Sequence, residues 1–231
     1  MKTISIITVV YNDVDNIDQT IKSVFEQNNQ MVEYIIIDGA STDGTVDIIK
    51  KYDAQLDYWV SESDKGIYDA MNKGITKATG EGLIFLNCGD YFVGKVIDEN
   101  IKIPSMIEVK YKNVLNRLIT RKEKFYKHGL PNNHQGIIFE NKCLFYDTNY
   151  KIAADYDFYM RHDYKNSLPS NKIEGYIYFD NNGLNQQNLY KRDKEIASLI
   201  KKYHGVSYKY LFLIKSLSKI IIKKLLRKNN V

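Results

Sequence analysis

Cysteine is scarce in this 231-residue chain: Cys88 and Cys143 are the only two, and they form no C-x-x-C pair. That excludes a disulfide scaffold and a Cys-rich zinc site, and it suits reduced thiols in cytosol. No stretch approaches the roughly 18 consecutive apolar residues that a membrane-spanning helix requires. The chain has neither G-x-x-x-x-G-K-[ST] nor a G-x-G-x-x-G after its first strand-like segment, so the Walker phosphate loop and the dinucleotide fingerprint are both missing. Met1 runs almost directly into that segment with only a weak basic start, and no cleavable signal peptide is expected. No internal repeat is visible.

Acidic residues are missing from one end. Of 33 basic residues nine follow Glu195, and of 28 acidic residues none does. The formal charge of +5 therefore divides into a slightly acidic body and a strongly basic tail. Such asymmetry points to an interaction tail rather than to a body that binds nucleic acid. At 44% hydrophobic and 13% aromatic residues, the chain can bury a sizeable core.

The first part of the chain alternates strand and helix signals. Ile4 to Val10 and Glu33 to Ile37 are β-branched runs of the kind found in strands buried on both faces. Shorter strands are expected at Tyr58 to Val60 and Gly82 to Leu86. Between them, helices are expected over about Asp15–Gln27, from the Ser41–Thr45 loop through Lys51, and over Ile67–Thr79. This order predicts right-handed βαβ units and a mostly parallel sheet flanked by helices. Further on, the pattern predicts strands around Met106–Val109, Gln135–Phe139 and Tyr176–Phe179. It predicts helices at Val114–Thr120 and Ala153–His162, and from about Leu189 onward. Polar residues gather after the strands: Tyr11 and Asn12, Asp38, Ser61 to Lys65, Asn87 to Asp90. Each loop alone is ordinary turn chemistry. Four of them at one sheet edge predict a binding crevice, because ligands of open α/β sheets bind at the carboxyl ends of the strands.

Four segments then carry a resemblance: Ser5-Ile-Ile-Thr-Val-Val-Tyr-Asn12, Ile37-Asp-Gly-Ala-Ser-Thr-Asp-Gly-Thr45, Glu62 through Ile75, and Gly80 through Asp90. In that order they resemble the nucleotide-binding half of the family 2 glycosyltransferases, which have the GT-A fold. A second stretch, His134-Gln-Gly with Ala153-Ala-Asp-Tyr-Asp-Phe-Tyr-Met-Arg161, is similar to that family's acceptor side. The resemblance implies residues 1–92 as a nucleotide-sugar half, 93–190 as an acceptor half, and 191–231 as a tail outside both. It also implies roles. Tyr11 would stack near the uracil beside Asn12, and Asp38 would accept a hydrogen bond from the base. Asp64 and Lys65 would line the donor pocket, with Lys65 near the diphosphate, and Asn72 would face the same crevice. The Asn87-Cys-Gly-Asp90 segment stands where the family has its D-x-D metal motif. Asp90 would then be the principal ligand of Mn2+ or Mg2+, and Asn87 a contact to ribose or phosphate. His134 would reach the metal or the diphosphate, though a lone histidine also serves as a structural hydrogen-bonding residue. Asp155 would be the catalytic base. Asp157, about 200° around the helix, cannot share that task and instead caps the helix or orients a neighbour.

Tyr208 to Lys228 has apolar residues on one helical face and Lys215, Lys219 and Lys223 along the other. Such a helix suits the interface of an anionic membrane, the alternative being packing on the body or on a second subunit in a homodimer. Together these features predict an inverting, metal-assisted glycosyltransferase. It would take a nucleotide sugar, UDP-linked, and act on a saccharide or lipid-linked acceptor. It would sit in the cytoplasm, peripheral on the inner face of a bacterial membrane, in envelope polysaccharide synthesis. The rival reading is a catalytically weak nucleotide-sugar binding protein. A nucleic-acid partner has only the tail's charge behind it.

Overall fold

The computed structural model describes residues 3–27, 30–112, 116–120, 133–164, 168–170, 174–180, 189–214 and 216. Its frame is a six-stranded sheet in the order β3-β2-β1-β4-β9-β6. β1 (Ile4–Val10), β2 (Val32–Asp38), β3 (Tyr58–Ser61) and β4 (Gly82–Phe85) are parallel. β9 (Ile137–Glu140) adds to β4 antiparallel, and β6 (Ser105–Met106) adds to β9 antiparallel. Every residue of β1 and β2 is buried. The unbroken Val/Ile runs follow from that, since both faces need apolar cover.

The two faces carry separate cores. Ile4, Ile6 and Val10 point toward Ile17, Ile21 and Val24 of α1 (Ile17–Phe25). Ile7, Val9, Ile35 and Ile37 point toward Tyr68, Met71 and Ile75 of α3 (Ile67–Lys77). α3 lies so close to β1 that a Cβ on Gly74 would stand 2.4 Å from Ile7 Cγ2. α2 (Thr45–Lys50) completes the α1 side. On the other side, Phe158 of α4 (Ala154–Arg161) joins Phe85 and Phe139 in edge-on aromatic contacts.

A second sheet, β5-β10-β7-β8, is built from β5 (Tyr91–Val93), β7 (Val109–Lys112), β8 (Leu118–Thr120) and β10 (Tyr176–Tyr178). Here the structure corrects the helix expected at Val114–Thr120. Leu118–Thr120 is a strand whose Thr120, Ile119 and Leu118 lie opposite Lys110, Tyr111 and Lys112, and residues 113–115 lie outside the described residues. Ladder hydrogen bonds to β7 and a Thr120 hydroxyl bond to Glu108 of 2.8 Å outweigh the weak local preference.

The placement of α5 (Leu189–His204) also departs from expectation, which set residues 191–231 apart as a tail. Leu199 and Ile200 are fully buried against Ala153 and Tyr156, with Ile196 and Tyr203 alongside. Part of the basic tail is therefore part of the body. After Gly205 residues 206–214 are helical again, and Tyr208 and Phe212 pack on the same cluster. Of the amphipathic segment expected over Tyr208 to Lys228, residues 215 and 217–228 lie outside the described residues.

Candidate active site

The loops after β1 and β2 are laced together by polar groups. Asn12, at a left-handed φ of 47°, accepts the Thr42 N–H at 2.8 Å, and its own N–H donates to Ser41 Oγ at 2.7 Å. Asparagine tolerates that backbone region better than most residues. Asp13 and Val14 N–H donate to Thr45 and Asp43 side chains at 3.0 Å each. Asp38 is fully buried, and both its oxygens are engaged, by Ser41 N–H (2.9 Å), Ser41 Oγ (2.5 Å) and Ser61 Oγ (2.6 Å). In this structure it braces the loops after β2 and β3, where the sequence suggested a base contact.

Tyr11 and Asp64 meet over Gly39. The Tyr11 ring is 66% exposed, and the Asp64 carboxylate is held by the Gly66 N–H at 2.7 Å. A Cβ on Gly39 would stand 2.7 Å from Asp64 Oδ2 and 3.2 Å from Tyr11 Cδ2. An exposed aromatic face beside a carboxylate, at the carboxyl ends of parallel strands, is a slot for a planar polar group such as a nucleobase. Gly39→Ala should leave the fold intact while pushing both side chains aside. The expected outcome is a rise of about tenfold in nucleotide Kd with an unshifted Tm. Calorimetric titration with UDP checks it, and unchanged affinity would move the slot elsewhere.

Lys65 is exposed, and its ammonium has no carboxylate partner among the described residues. Asn72 has a structural role in α3. Its amide donates to Tyr146 O at 3.0 Å and accepts Tyr146 N–H at 2.7 Å, so it clips α3 to the 141–150 segment. That two-point match to a backbone uses one of its two N–H groups and one lone pair of its oxygen.

A second group lies at the end of β4. Asp90 is buried and accepts the Asp180 N–H at 2.9 Å and a side-chain bond from Gln135. Burial raises its carboxyl well above the usual range, against those two hydrogen bonds, and the Asp180 carboxylate adds to the rise. Asn87 Oδ1 is buried with no hydrogen-bond partner among the described residues. Burial pushes the Cys88 thiol up, so it stays a neutral filler beside this loop. The short 3-10 turn His134–Gly136 joins this group to α4. Gln135 reaches Asp90, while His134 Nδ1 stands 3.6 Å from Asp155 Oδ2. His134 Nε2 and Gln135 Oε1 have no partner among the described residues, and both are buried. Asp155 lies in the first turn of α4 with its side chain 18% exposed.

Asp157 is turned the other way, as its spacing from Asp155 requires. Its side chain is 1% exposed, and it accepts from Arg161 Nε (2.7 Å), Lys202 Nζ (2.9 Å) and Tyr203 OH (2.7 Å). Sequence reasoning missed Gly39, Ser41, Ser61, Gln135 and Asp180. Asp180 could have been found as an acidic residue just past a strand. Ser41 reaches Asp38 three residues back as well as Asn12, and Gly39, Ser61 and Gln135 gain their roles through contacts distant in sequence.

The donor set at the β4 end consists of hard oxygens: Asp90, the neighbouring Asp180 and Asn87 Oδ1. Hard oxygens suit Mg2+ or Mn2+. Among the described residues no three His, Cys, Asp or Glu side chains converge on one point. The set therefore fits a cation that shares its ligands with a bound diphosphate, and it does not fit one caged by the protein alone.

Three comparisons bear on this arrangement. Residues 5–98 match the model of the family described as Glycosyl transferase family 2. An uncharacterized glycosyltransferase of Mycobacterium tuberculosis, Rv1514c, is 33% identical over 180 residues, covering 69% of this chain and 68% of its own. The putative teichuronic acid biosynthesis glycosyltransferase TuaG of Bacillus subtilis is 38% identical over 90 residues, 38% of this chain and 36% of its own. Among solved structures, S. aureus TarS superposes with a TM-score of 0.66 at 21% identity, covering 94% of this chain. This chain spans 43% of TarS. A fragment of TarS, residues 1–349, has been solved with UDP-GlcNAc. At that identity the likeness concerns the fold, which is the α/β architecture with a central, mostly parallel sheet that the sequence predicted.

Proposed function

Since this chain belongs to glycosyltransferase family 2, we propose that it transfers a sugar, with inversion, from a UDP-linked donor to a saccharide or lipid-linked acceptor in bacterial envelope polysaccharide synthesis. The observation that carries this reading is the 134–135 turn, which links Asp155 through His134 to the Asp90 group through Gln135. A base and a diphosphate-binding edge thus share one short segment. The uracil lies in the Tyr11–Gly39–Asp64 slot, and Lys65 extends toward the diphosphate. Asp155 takes the proton of the acceptor hydroxyl as that oxygen attacks the anomeric carbon. The nucleotide diphosphate departs from the opposite face, which inverts the configuration. His134 Nε2 faces the leaving group, and His134 Nδ1 lies beside the base. Bound Mn2+ or Mg2+ supplies countercharge for the diphosphate, held by Asp90, Asp180 and Asn87.

The test is nucleotide release across a panel of UDP- and GDP-sugars, with Mn2+ and then with excess chelator. Release from a UDP-sugar, falling on the order of 100-fold without metal, is expected. Full activity in chelator would remove the carboxylates from the ligand role. Tight donor binding with no turnover against any acceptor would favour the binding-protein reading.

A peripheral site at an anionic membrane forms part of the same reading. No helix among the described residues is long and apolar enough to cross a membrane. Past Gly205, however, Val206, Tyr210, Leu211 and Ile214 are 51%, 59%, 51% and 64% exposed. Residues 206, 210 and 214 follow one another at helical spacing, opposite Tyr208 and Phe212 on the body. Exposed apolar residues leading into a lysine-rich segment fit an interface of anionic headgroups over acyl chains. The double variant Tyr210→Glu, Ile214→Glu should lose flotation with anionic liposomes and keep hydrolysis of soluble donor. Undiminished flotation would place the contact elsewhere.

A further inference from the structure

Three successive backbone amides just ahead of α4 find their partner on a distant helix. Lys151, Ile152 and Ala153 N–H donate to the Glu195 carboxylate of α5 at 3.2, 2.9 and 3.0 Å. α4 needs such help. Its N-cap residue is Ala153, which has no side-chain oxygen and makes no cap bond. Glu195, more than 40 positions downstream, accepts the N-cap N–H and the two before it, and charge-assisted bonds of this kind are among the stronger ones.

The same segment is gripped from the other side. The Tyr68 hydroxyl of α3 donates to Ile152 O at 2.8 Å and takes the Asp155 N–H. One turn along, α5 also holds α4 through Lys202 and Tyr203 on Asp157, and through the 3.0 Å contact of His204 Nε2 with Tyr156 OH. Asp155 is thus the residue of this turn left to face the site, while the backbone that carries it is fixed from both sides.

We propose that Glu195 is a positioning residue: its carboxylate fixes residues 151–153 and thereby the angle at which α4 presents Asp155. This rests on the reading of Asp155 as the base. On this proposal Glu195 acts on Asp155 only through the backbone of residues 151–153. Losing it should therefore reduce turnover and spare donor binding.

The experiment compares Glu195→Ala, Glu195→Gln and Asp155→Asn in the full chain. It measures UDP release, donor Kd and hydrogen exchange at residues 151–153. Glu195→Ala should lower kcat by about 10- to 100-fold with donor KM within about twofold, the size of effect that a small misplacement of a catalytic group produces. Glu195→Gln keeps one oxygen for Ile152 and Ala153, and it should recover most of that loss. Amides 151–153 should exchange faster in Glu195→Ala, while α1 and α3 stay as protected as in the wild type. Wild-type turnover in Glu195→Ala beside an inactive Asp155→Asn overturns the inference and leaves the base reading intact. A rise in donor KM that accounts for the whole loss, the sign of general loosening, also overturns it. Turnover in Asp155→Asn itself overturns the base reading and shows in that arm alone. Should Glu195→Ala not fold, Glu195→Met, which keeps the side-chain volume without an oxygen acceptor, takes its place, and wild-type kcat with wild-type protection at 151–153 in that variant overturns the inference as well.

Discussion

A chain carrying Asp155→Asn will bind its nucleotide-sugar donor as the wild type does and turn it over on the order of 1,000-fold more slowly. The substitution is nearly isosteric. Asp155 Oδ1 accepts the Tyr156 N–H at 2.8 Å, and an asparagine oxygen can keep that bond. The second oxygen, 3.6 Å from His134 Nδ1, becomes an amide that cannot take a proton. The helix and the Glu195 bonds are untouched. The slot proposed for the uracil lies between Tyr11, Gly39 and Asp64 on the loops after β1, β2 and β3, away from α4. Stopped-flow UDP release with equilibrium donor binding on the same sample is the check. Loss of binding together with rate would mean that the site had collapsed, and turnover above about a tenth of wild type would assign the base elsewhere.

The first part of the chain was legible because its physics is local. β1 and β2 announce themselves by continuous Val/Ile runs, and both match their expected spans within a residue. The loops that end them carry the polar residues on which the resemblance rests. The stretch after β4 was harder to read for the opposite reason. β5 and β8 are three residues each, and β8 is made a strand by β7. At the site, the residue type could be read but not its partner. Asp38 and Asn72 read as donor contacts, and the structure adds partners that spacing did not show, Ser41 and Ser61 for one and the Tyr146 backbone for the other. Glu195 looked like nothing more than the last acidic residue before the basic run. The apolar face of α5 would read the same against lipid, a second subunit or α4, because periodicity shows that a face is covered and not what covers it.

The last acidic residue on α4 makes that difference measurable. Asp157→Asn should cost roughly 2–3 kcal/mol near neutral pH, since it removes the carboxylate that Arg161, Lys202 and Tyr203 share. The figure is set low because Arg161 and Lys202 keep 29% and 49% of their side chains in water. For a chain of this length it corresponds to a Tm lower by about 5–10 °C. The pH dependence separates this from a packing defect. Burial pushes the Asp157 carboxyl up, but the hydrogen bonds from Tyr203, Lys202 and Arg161 together exceed it and hold the pKa below its ordinary value. A carboxyl with a lower pKa folded than unfolded adds stability that is fully present above the unfolded value, near 4, and is lost as pH falls through the folded one. Wild type and variant should therefore differ most at pH 6–7 and converge below about pH 4 in denaturant midpoints. A gap that stays constant with pH would make the loss one of shape. No gap at pH 7 would detach α5 from α4 energetically, and with it the route from Glu195 to Asp155.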